Sequence, residues 1–591
     1  MRGVKRQVKP DLFTPDTQHL KPDTGTLTMN RNESITSLKS NPQVSVLIVG
    51  AGINGIGTFR DLALNGVDVL LIDRGDFCSG ASAASSHMAH GGIRYLENGE
   101  FRLVREAVRE RNRMIQNAPH IVKPLPTTIP MFKHFSGILN APLKFLGWLD
   151  RPSERGSVII KLGLMMYDAY TGKQRTVPRH KFYSRAESLA RWNRLNPEIV
   201  NTAVYYDGLI SNPERLALEI MLDAETDNPH ARALNYFSLV SGSGKNVILR
   251  DELTDEILEI QPKLVINAAG PWIDFANHSL GVTTKFIGGT KGSHLVLNHP
   301  ELRAAIGDNE FFFENKDGRI VLIFPLQDRV LIGTSDIKID HPDDARCTDE
   351  EVDYFLELTK RVFPKIKVTR EHVVFVFSGV RPLASSTAKT TGQFSRDHHI
   401  EVLSGDWTNL DFPVYSLVGG KWTSFRAFSE QVTDKALQFL GIKRNKGTQD
   451  LPIGGGRNYP RTNEDRAKYI NGLAAWTGIS RERLELLFER YGTRTEIIAD
   501  FMKLAPDAPL ISLPEYSKRE IMFIAQHEKV EHLDDLLLRR TMLAMLGRLT
   551  RDAVIESANL LADAFGWSLE KKNAEAERTL RLLADRHQVR L

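Results

Sequence analysis

Cysteine is scarce in this 591-residue chain, which contains only Cys78 and Cys347. Two cysteines cannot build a disulfide framework, and neither lies in a cysteine–histidine cluster with the spacing of metal ligands. The sequence therefore predicts a protein of a reducing, cytoplasmic compartment with no metal site. A run of 18 apolar residues is also absent, so no membrane-spanning helix is expected, and contact with a membrane would have to be peripheral.

A strong charge excess is missing as well. The formal net charge is +4, and residues 1–42 alone hold seven basic residues against four acidic ones. The rest of the chain is therefore close to neutral, which argues against nucleic-acid binding. Residues 1–42 lack the apolar core of a secretory signal, and we predict that they form a mobile N-terminal tail.

The first clear pattern is a strand, a glycine-rich turn and a helix. Residues 44–49 form a short apolar run typical of a parallel strand that is buried on both faces. A helix follows to about Leu64, Gly66 is suited to end it, and residues 67–72 predict a second buried strand. This order predicts a βαβ unit.

The turn of this unit carries a dinucleotide-binding fingerprint. Its first glycine permits the tight turn, the second lets a pyrophosphate approach the backbone, and the third lets the helix pack on the strand. An acidic residue after the second strand can accept hydrogen bonds from the adenosine ribose. The predicted cofactor contacts in this unit are Gly50, Ala51, Gly52, Ile53, Asn54, Gly55, Asp73 and Arg74.

Three later segments are suited to the same cofactor. Residues 79–86 are small and rich in hydroxyls, residues 265–272 end a predicted strand in a turn of small residues, and residues 419–423 precede a predicted helix over 424–440. A helix N-terminus with bare amides stabilises negative charge, such as that on a reduced flavin. The cofactor contacts predicted in these segments are Ser85, Ser86, Ala269, Gly270, Gly419, Gly420, Lys421, Trp422 and Thr423.

The remaining patterns outline the domains. An amphipathic helix is predicted over residues 100–117, with its arginines on a solvated face. Further strands are predicted at residues 263–269, 294–297, 320–324, 330–333 and 373–377. Residues 443–458 are polar and glycine-rich and predict a linker, and the residues beyond it are almost purely helical.

Several segments together resemble the FAD-dependent glycerol-3-phosphate dehydrogenases. The resemblance covers roughly residues 44–450 and extends more weakly through the helical C-terminus. The matching segments, in chain order, are His90–Glu97, Asn267–Trp272, Lys291–His294, Gly333–Asp336, Ser378–Leu383, Ser395–Asp397 and Gly419–Lys421.

This resemblance implies an α/β fold with three parts. The first two are a Rossmann-like FAD-binding domain and a mixed-sheet substrate domain of the glycine oxidase and D-amino-acid oxidase type, interleaved over residues 43–450. The third is an α-helical C-terminal domain over residues 451–591. We expect the FAD-binding parts at about 43–120, 200–275 and 370–440, and the substrate parts at about 121–199 and 276–369.

The resemblance also implies oxidation of sn-glycerol 3-phosphate to dihydroxyacetone phosphate. Hydride passes from C2 to FAD N5, and electrons then pass to membrane quinone on the inner face of the cytoplasmic membrane. A homodimer is a family-level expectation. Cations must surround the dianionic phosphate, and the predicted substrate contacts are Arg94, Tyr95, Arg381, Arg396 and Lys421.

Loss of hydride from C2 requires a base for the proton of the C2 hydroxyl. His294 and His90 are the candidates, and Arg381 or Lys421 can stabilise the developing alkoxide. The sequence departs from the family pattern at His87, where the family carries lysine, so a titratable group replaces a fixed cation.

Three other functions fit parts of the pattern. An oxidase would pass the electrons to oxygen, and the sequence does not separate it from a quinone-linked enzyme. An amine or amino-acid oxidoreductase of the same fold would need fewer cations. A flavin-bearing scaffold protein without turnover would leave the cationic set without a purpose.

Overall fold

The computed structural model describes residues 29–92, 100–133, 157–171, 176–314, 320–385, 397–405 and 408–591. Among them, no helix combines the length and the apolar character needed to cross a membrane. The fold consists of two sheets, the helices that cover them, and a C-terminal helical domain.

The strands and helices are numbered in chain order. The strands are β1 Gln43–Val49, β2 Val69–Ile72, β3 Met88–Ala89, β4 Val122–Met131, β5 Lys181–Ser184, β6 Asn201–Ile210, β7 Ala231–Leu234, β8 Phe237–Ser243, β9 Asn246–Asp251, β10 Ile257–Asn267, β11 Thr290–Leu297, β12 Glu310–Glu314, β13 Ile320–Leu326, β14 Arg329–Gly333, β15 Ile337–Lys338, β16 Val373–Arg381, β17 His399–Leu403 and β18 Val414–Val418. The helices are α1 Arg31–Ser40, α2 Ile53–Leu64, α3 Phe101–Asn117, α4 Ser157–Thr171, α5 Arg185–Arg191, α6 Pro213–Asp227, α7 Ile273–Ser279, α8 Pro300–Ile306, α9 Asp349–Val362, α10 Phe425–Leu440, α11 Asn463–Thr477, α12 Arg481–Tyr491, α13 Thr495–Met502, α14 Lys518–His527, α15 Arg551–Phe565 and α16 Leu569–His587.

The first sheet has the order β17-β18-β10-β1-β2-β7. Strands β18, β10, β1, β2 and β7 run parallel, β17 pairs antiparallel with β18, and β8 and β9 extend from β10 as an antiparallel ribbon. Helices α2, α6 and α10 pack together against the sheet. The predicted βαβ unit is confirmed as β1–α2–β2.

The second sheet has the order β15-β11-β14-β13-β12-β4-β6-β3, with β16 paired to β11 and β5 to β6. It is mixed, because β12 pairs parallel with β4 and the other pairs are antiparallel. Strands β6 and β16 belong to this sheet, although the sequence places residues 200–275 and 370–440 in the FAD-binding domain. Alternation of apolar residues shows that a strand is present but not which sheet it joins.

The prediction of a mobile tail over residues 1–42 is wrong at its C-terminal end. Residues 31–40 form helix α1, which begins with a capping box from Asn30 and buries Leu38 completely. Arg31 pairs with Asp251 at 2.7 Å, 220 residues away. The sequence pattern missed α1 because the helix is polar and is held by these distant contacts. Residues 1–28 lie outside the described residues.

The helical C-terminal domain is confirmed, but the preceding linker is buried over residues 453–456. Gly454 and Gly455 are buried, and their N–H groups donate to Asp223 and Glu219 on α6 at 2.9 and 3.0 Å. The glycines of this segment reflect close approach to buried carboxylates, whereas residues 443–450 are mostly exposed.

Candidate active site

The turn at Gly50–Gly55 lies at the carboxyl end of β1, and we call this turn, together with the start of α2, the FAD cradle. Gly50 has φ of +104°, and a Cβ there would lie 2.7 Å from the carbonyl oxygen of Ala268. A Cβ on Gly55 would lie 2.0 Å from the carbonyl oxygen of Gly50. Both positions therefore exclude any side chain, and α2 starts at Ile53 with its N-terminus facing the cradle.

Asp73 closes this cradle at the end of β2. Its two oxygens accept the N–H groups of Ala51 at 2.7 Å and Gly75 at 3.0 Å. Burial raises the pKa of Asp73 to about 6, although the two amides oppose the shift. Further donors, such as ribose hydroxyls, would lower this pKa because they stabilise the ionised carboxylate. Arg74, which was also predicted to contact the cofactor, points outward and pairs with Asp343 at 2.5 Å.

The loop of residues 79–86 ties the cradle to the N-terminus of α10. The Oγ of Ser82 accepts the N–H of Ile53 at 3.0 Å, and the indole of Trp422 donates to the Ser82 carbonyl at 2.9 Å. Asn54 donates to the carbonyl of Gly419 at 3.2 Å. Helix α10 has no side-chain cap on its first amides, as predicted for an end that faces a flavin.

Other predicted cofactor residues line the same region. Gly420 has φ of +98°, and a Cβ there would lie 2.3 Å from the Asn54 amide nitrogen. Gly270 has φ of +57° and begins a short helix directly after Ala269. The buried hydroxyl of Thr423 has no hydrogen-bond partner among the described residues. These side-chain-free positions and bare amides fit a bound FAD.

His294 joins this cradle to the second sheet. Its Nε2 lies 2.7 Å from the Oγ of Ser86, and its ring stacks on Phe377 with centroids 4.7 Å apart. Burial lowers the pKa of His294 well below 6.5, and the positive charge of Arg381 and the nearby His87 lower it further. The imidazole is therefore neutral.

Arg381 ends β16 beside His294. Its guanidinium donates to Asp336 at 3.1 Å, to the Thr334 hydroxyl at 2.8 Å and to the Ser335 carbonyl at 3.0 Å. The space it occupies exists because Gly292 has no side chain: a Cβ there would lie 2.4 Å from the guanidinium. Arg381 is about one-third exposed and oriented by three partners.

His90 and Lys421 lie together in a small cavity between α3 and the N-terminus of α10. Glu106 and His398 line the same cavity, and burial lowers the pKa of His398 to about 4. Neither was predicted from the sequence, because a lone glutamate on an amphipathic helix carries no signal. The hydroxyl of Ser85, another predicted cofactor contact, accepts the N–H of His87 at 3.3 Å.

The structure thus brings most predicted residues to one boundary between the two sheets. Arg94, Tyr95 and Arg396 lie outside the described residues. Sequence reasoning missed Phe377, Thr334 and Asp336, which contact His294 or Arg381, although the last two lie in a segment that was recognised. The predicted solvated face of α3 is wrong at Arg111, whose side chain is completely buried.

Two family models match the chain. Residues 45–409 match the family described as FAD dependent oxidoreductase, and residues 446–572 match the C-terminal domain of alpha-glycerophosphate oxidase. The two matches together cover the second sheet, most of the first sheet and most of the helical domain, and β18 lies in the gap between them.

Individual relatives match over nearly the whole chain. A glycerol-3-phosphate dehydrogenase of Synechocystis sp. is 34% identical over 91% of this chain and 96% of its own length. A D-erythritol 1-phosphate dehydrogenase of Brucella abortus is 29% identical over 88% and 98%. The crystal structure of glycerol-3-phosphate dehydrogenase from Bacillus halodurans complexed with FAD superposes with a TM-score of 0.72 at 22% identity, over 94% of this chain and 97% of that one. This last likeness shows a shared fold.

Proposed function

Because the chain belongs to the family of FAD-dependent glycerol-3-phosphate dehydrogenases, we propose that it oxidises sn-glycerol 3-phosphate to dihydroxyacetone phosphate. The observation that carries this proposal is the group of His294, Ser86 and Arg381 where the FAD cradle meets the second sheet. Oxidation of a phosphorylated alcohol requires an acceptor for the hydroxyl proton and a cation for the phosphate, and this group provides both. Bound FAD supplies N5 as the acceptor for the hydride that leaves C2.

Arg381 is suited to hold the phosphate, because three partners already orient its planar guanidinium. Lys421, at the N-terminus of α10, adds a second positive charge. Arg94 and Arg396 remain predictions from their motifs, as does the contact from Tyr95. A carboxylate substrate such as glycine would not require such a set.

His294 is the proposed acceptor of the proton on the C2 hydroxyl. Its neutral form is present before substrate binds, because burial and the charge of Arg381 hold its pKa low. A bound phosphate dianion offsets that positive charge and raises the proton affinity of the imidazole as the reaction proceeds. Ser86 and Phe377 fix the ring in place. His90 is the alternative base.

The proposal is tested by an anaerobic absorbance titration of the purified holoprotein. Glycerol 3-phosphate should bleach the flavin band near ~450 nm, whereas glycerol and glycine should not. D-erythritol 1-phosphate is tested as a longer polyol phosphate, because the relative from Brucella abortus is named a dehydrogenase of this compound. A flavin that stays oxidised with glycerol 3-phosphate would sink the substrate assignment, and faster bleaching by the erythritol compound would move it to longer polyols.

We further propose that the electrons pass to a membrane quinone and that the protein lies on the inner face of the cytoplasmic membrane. Helix α4 supports this proposal, because Leu162 and Met165 are more than half exposed on it. Reduced protein should be reoxidised faster by a soluble quinone than by oxygen, and it should sediment with lipid vesicles. Rapid formation of hydrogen peroxide would instead identify an oxidase.

A further inference from the structure

The backbone of Gly91, next to the candidate site residue His90, is held by a buried polar cluster. The N–H of Gly91 donates to Oδ1 of Asp207 on β6 at 2.8 Å. The hydroxyl of Tyr167 on α4 donates to the same oxygen at 2.5 Å. One carboxylate oxygen therefore joins the loop that carries His90 to both a strand and a helix.

Arg111 on α3 completes the cluster. Its Nη1 donates to the Tyr167 oxygen at 2.6 Å and to the Tyr206 carbonyl at 2.7 Å, and it lies 3.5 Å from Asp207. The side chains of Arg111, Tyr167 and Asp207 are all at most 2% exposed. Buried polar groups that are mutually satisfied in this way have one well-defined arrangement.

Gly91 fits this cluster without space for a side chain. A Cβ at this position would lie 1.9 Å from the hydroxyl oxygen of Tyr167 and 2.5 Å from its Cζ. The backbone of Gly91 therefore contacts Tyr167 on one side, and its N–H is fixed by Asp207. His90, the preceding residue, faces the cavity that it shares with Lys421 and Glu106.

We infer that Asp207 and Tyr167 are positioning residues, which fix the backbone of Gly91 and thereby place the imidazole of His90 in the cavity with Lys421. This inference rests on the proposed function, in which that cavity belongs to the site. Neither residue lines that cavity. They act through the loop, and a displacement of about 1 Å in such a loop can cost about a hundredfold in rate.

The first test compares the Tyr167→Phe holoprotein with the wild type and with Tyr491→Phe. Tyr491 is a matched control, because it is an equally buried tyrosine that donates to a carboxylate, Glu520, in the C-terminal domain. We expect Tyr167→Phe to retain FAD, to exchange the Gly91 amide hydrogen at least about tenfold faster, and to lose between about tenfold and a hundredfold in kcat/KM. Tyr491→Phe should alter only thermal stability.

A second test uses Gly91→Ala in the wild-type and Tyr167→Phe backgrounds. The added methyl meets the hydroxyl first, so it should reduce kcat/KM less in the phenylalanine background than in the wild type. Equal losses in both backgrounds would contradict the contact on which the inference depends.

The outcomes separate this inference from the proposed function. Unchanged exchange of the Gly91 amide in Tyr167→Phe overturns the inference whatever the substrate is. Faster exchange with unchanged kcat and KM overturns the positioning role. If the wild-type flavin is not reduced by glycerol 3-phosphate, the proposed function fails, and the exchange of Gly91 alone then decides whether the loop is held as inferred.

Discussion

Replacement of Arg381 by alanine tests how the phosphate is recognised. A guanidinium has five N–H groups, and the contacts with Asp336, Thr334 and Ser335 occupy at least three of them. At most two remain for the phosphate. Hydrogen bonds to charged groups contribute about 1.5–3 kcal/mol each, and partial exposure of Arg381 favours the lower end. We therefore expect a loss of about 2–4 kcal/mol, or roughly 30-fold to 1,000-fold in kcat/KM.

The assay is steady-state oxidation of glycerol 3-phosphate by the FAD-loaded variant. Most of the loss should be seen as a higher KM, because the phosphate is remote from the reacting carbon. Arg381→Lys should lie between the alanine variant and the wild type, since lysine keeps the charge but not the planar fork. Arg370→Ala is the matched control: Arg370 precedes β16, donates twice to Asp353, and lies at the other end of the same strand.

Two results would refute this reasoning. Wild-type kcat/KM in Arg381→Ala with FAD retained would remove Arg381 from the site. An equal fractional loss in Arg370→Ala would show that the effect reflects the stability of β16 and not contact with the substrate.

Three further changes test the cradle, a buried acid and the interdomain contact. Asp73→Ala should weaken FAD binding by about tenfold to a hundredfold, because the amide of Ala51 loses its acceptor; flavin retained after gel filtration measures this. Burial raises the pKa of Glu310 from 4.5 to about 8. Between these pH values the folded state holds a proton that the unfolded state releases. The free energy of unfolding therefore falls as the pH rises from about 4.5 to 8. Glu310→Gln should remove this fall, which is at most about 4 kcal/mol between pH 5 and 8.5 and can be measured by urea unfolding at these two pH values. Asp76→Ala should cost about 3–5 kcal/mol, because it removes the carboxylate that pairs with the buried Arg540 and leaves only carbonyl acceptors.

Each of these changes has a contradicting result. Full retention of FAD by Asp73→Ala would show that the carboxylate does not support the cradle. An unfolding free energy of Glu310→Gln with the same pH dependence as the wild type would assign the titration to another group. Asp328→Ala, which removes a half-exposed partner of Arg548, is the control for Asp76→Ala and should cost less than about 1 kcal/mol. Equal losses in the two variants would contradict the role of burial.

The FAD cradle is the part of the site that the sequence predicted most fully. The residues of the turn at Gly50–Gly55 are consecutive, and each constraint on them is local: a positive φ, a close backbone contact or a helix start. The strand before the turn and Asp73 after the next strand lie within about one βαβ unit of it. Local spacing is therefore sufficient to predict them.

The second sheet was predicted only as a set of strands. Its strand order joins segments from residues 88 to 381, and the apolar alternation of a strand does not specify its partner. For the same reason β6 and β16 were expected in the FAD-binding domain, whereas the structure places them in the second sheet. Helix α1 was missed because its stability comes from contacts such as Arg31 with Asp251, and not from an apolar stripe.

By itself, the sequence determined the dinucleotide turn, the family resemblance and the candidate residues for holding a phosphate, because these depend on residue types at short spacing. Only the tertiary structure decided which of them meet. Ser86 and His294 are 208 residues apart in the chain, and their contact exists because the loop after β2 lies against β11 of the other sheet. The burial of Arg111 with Asp207 and Tyr167 was decided in the same way, since three separate elements must pack before their charges and hydroxyls can satisfy one another.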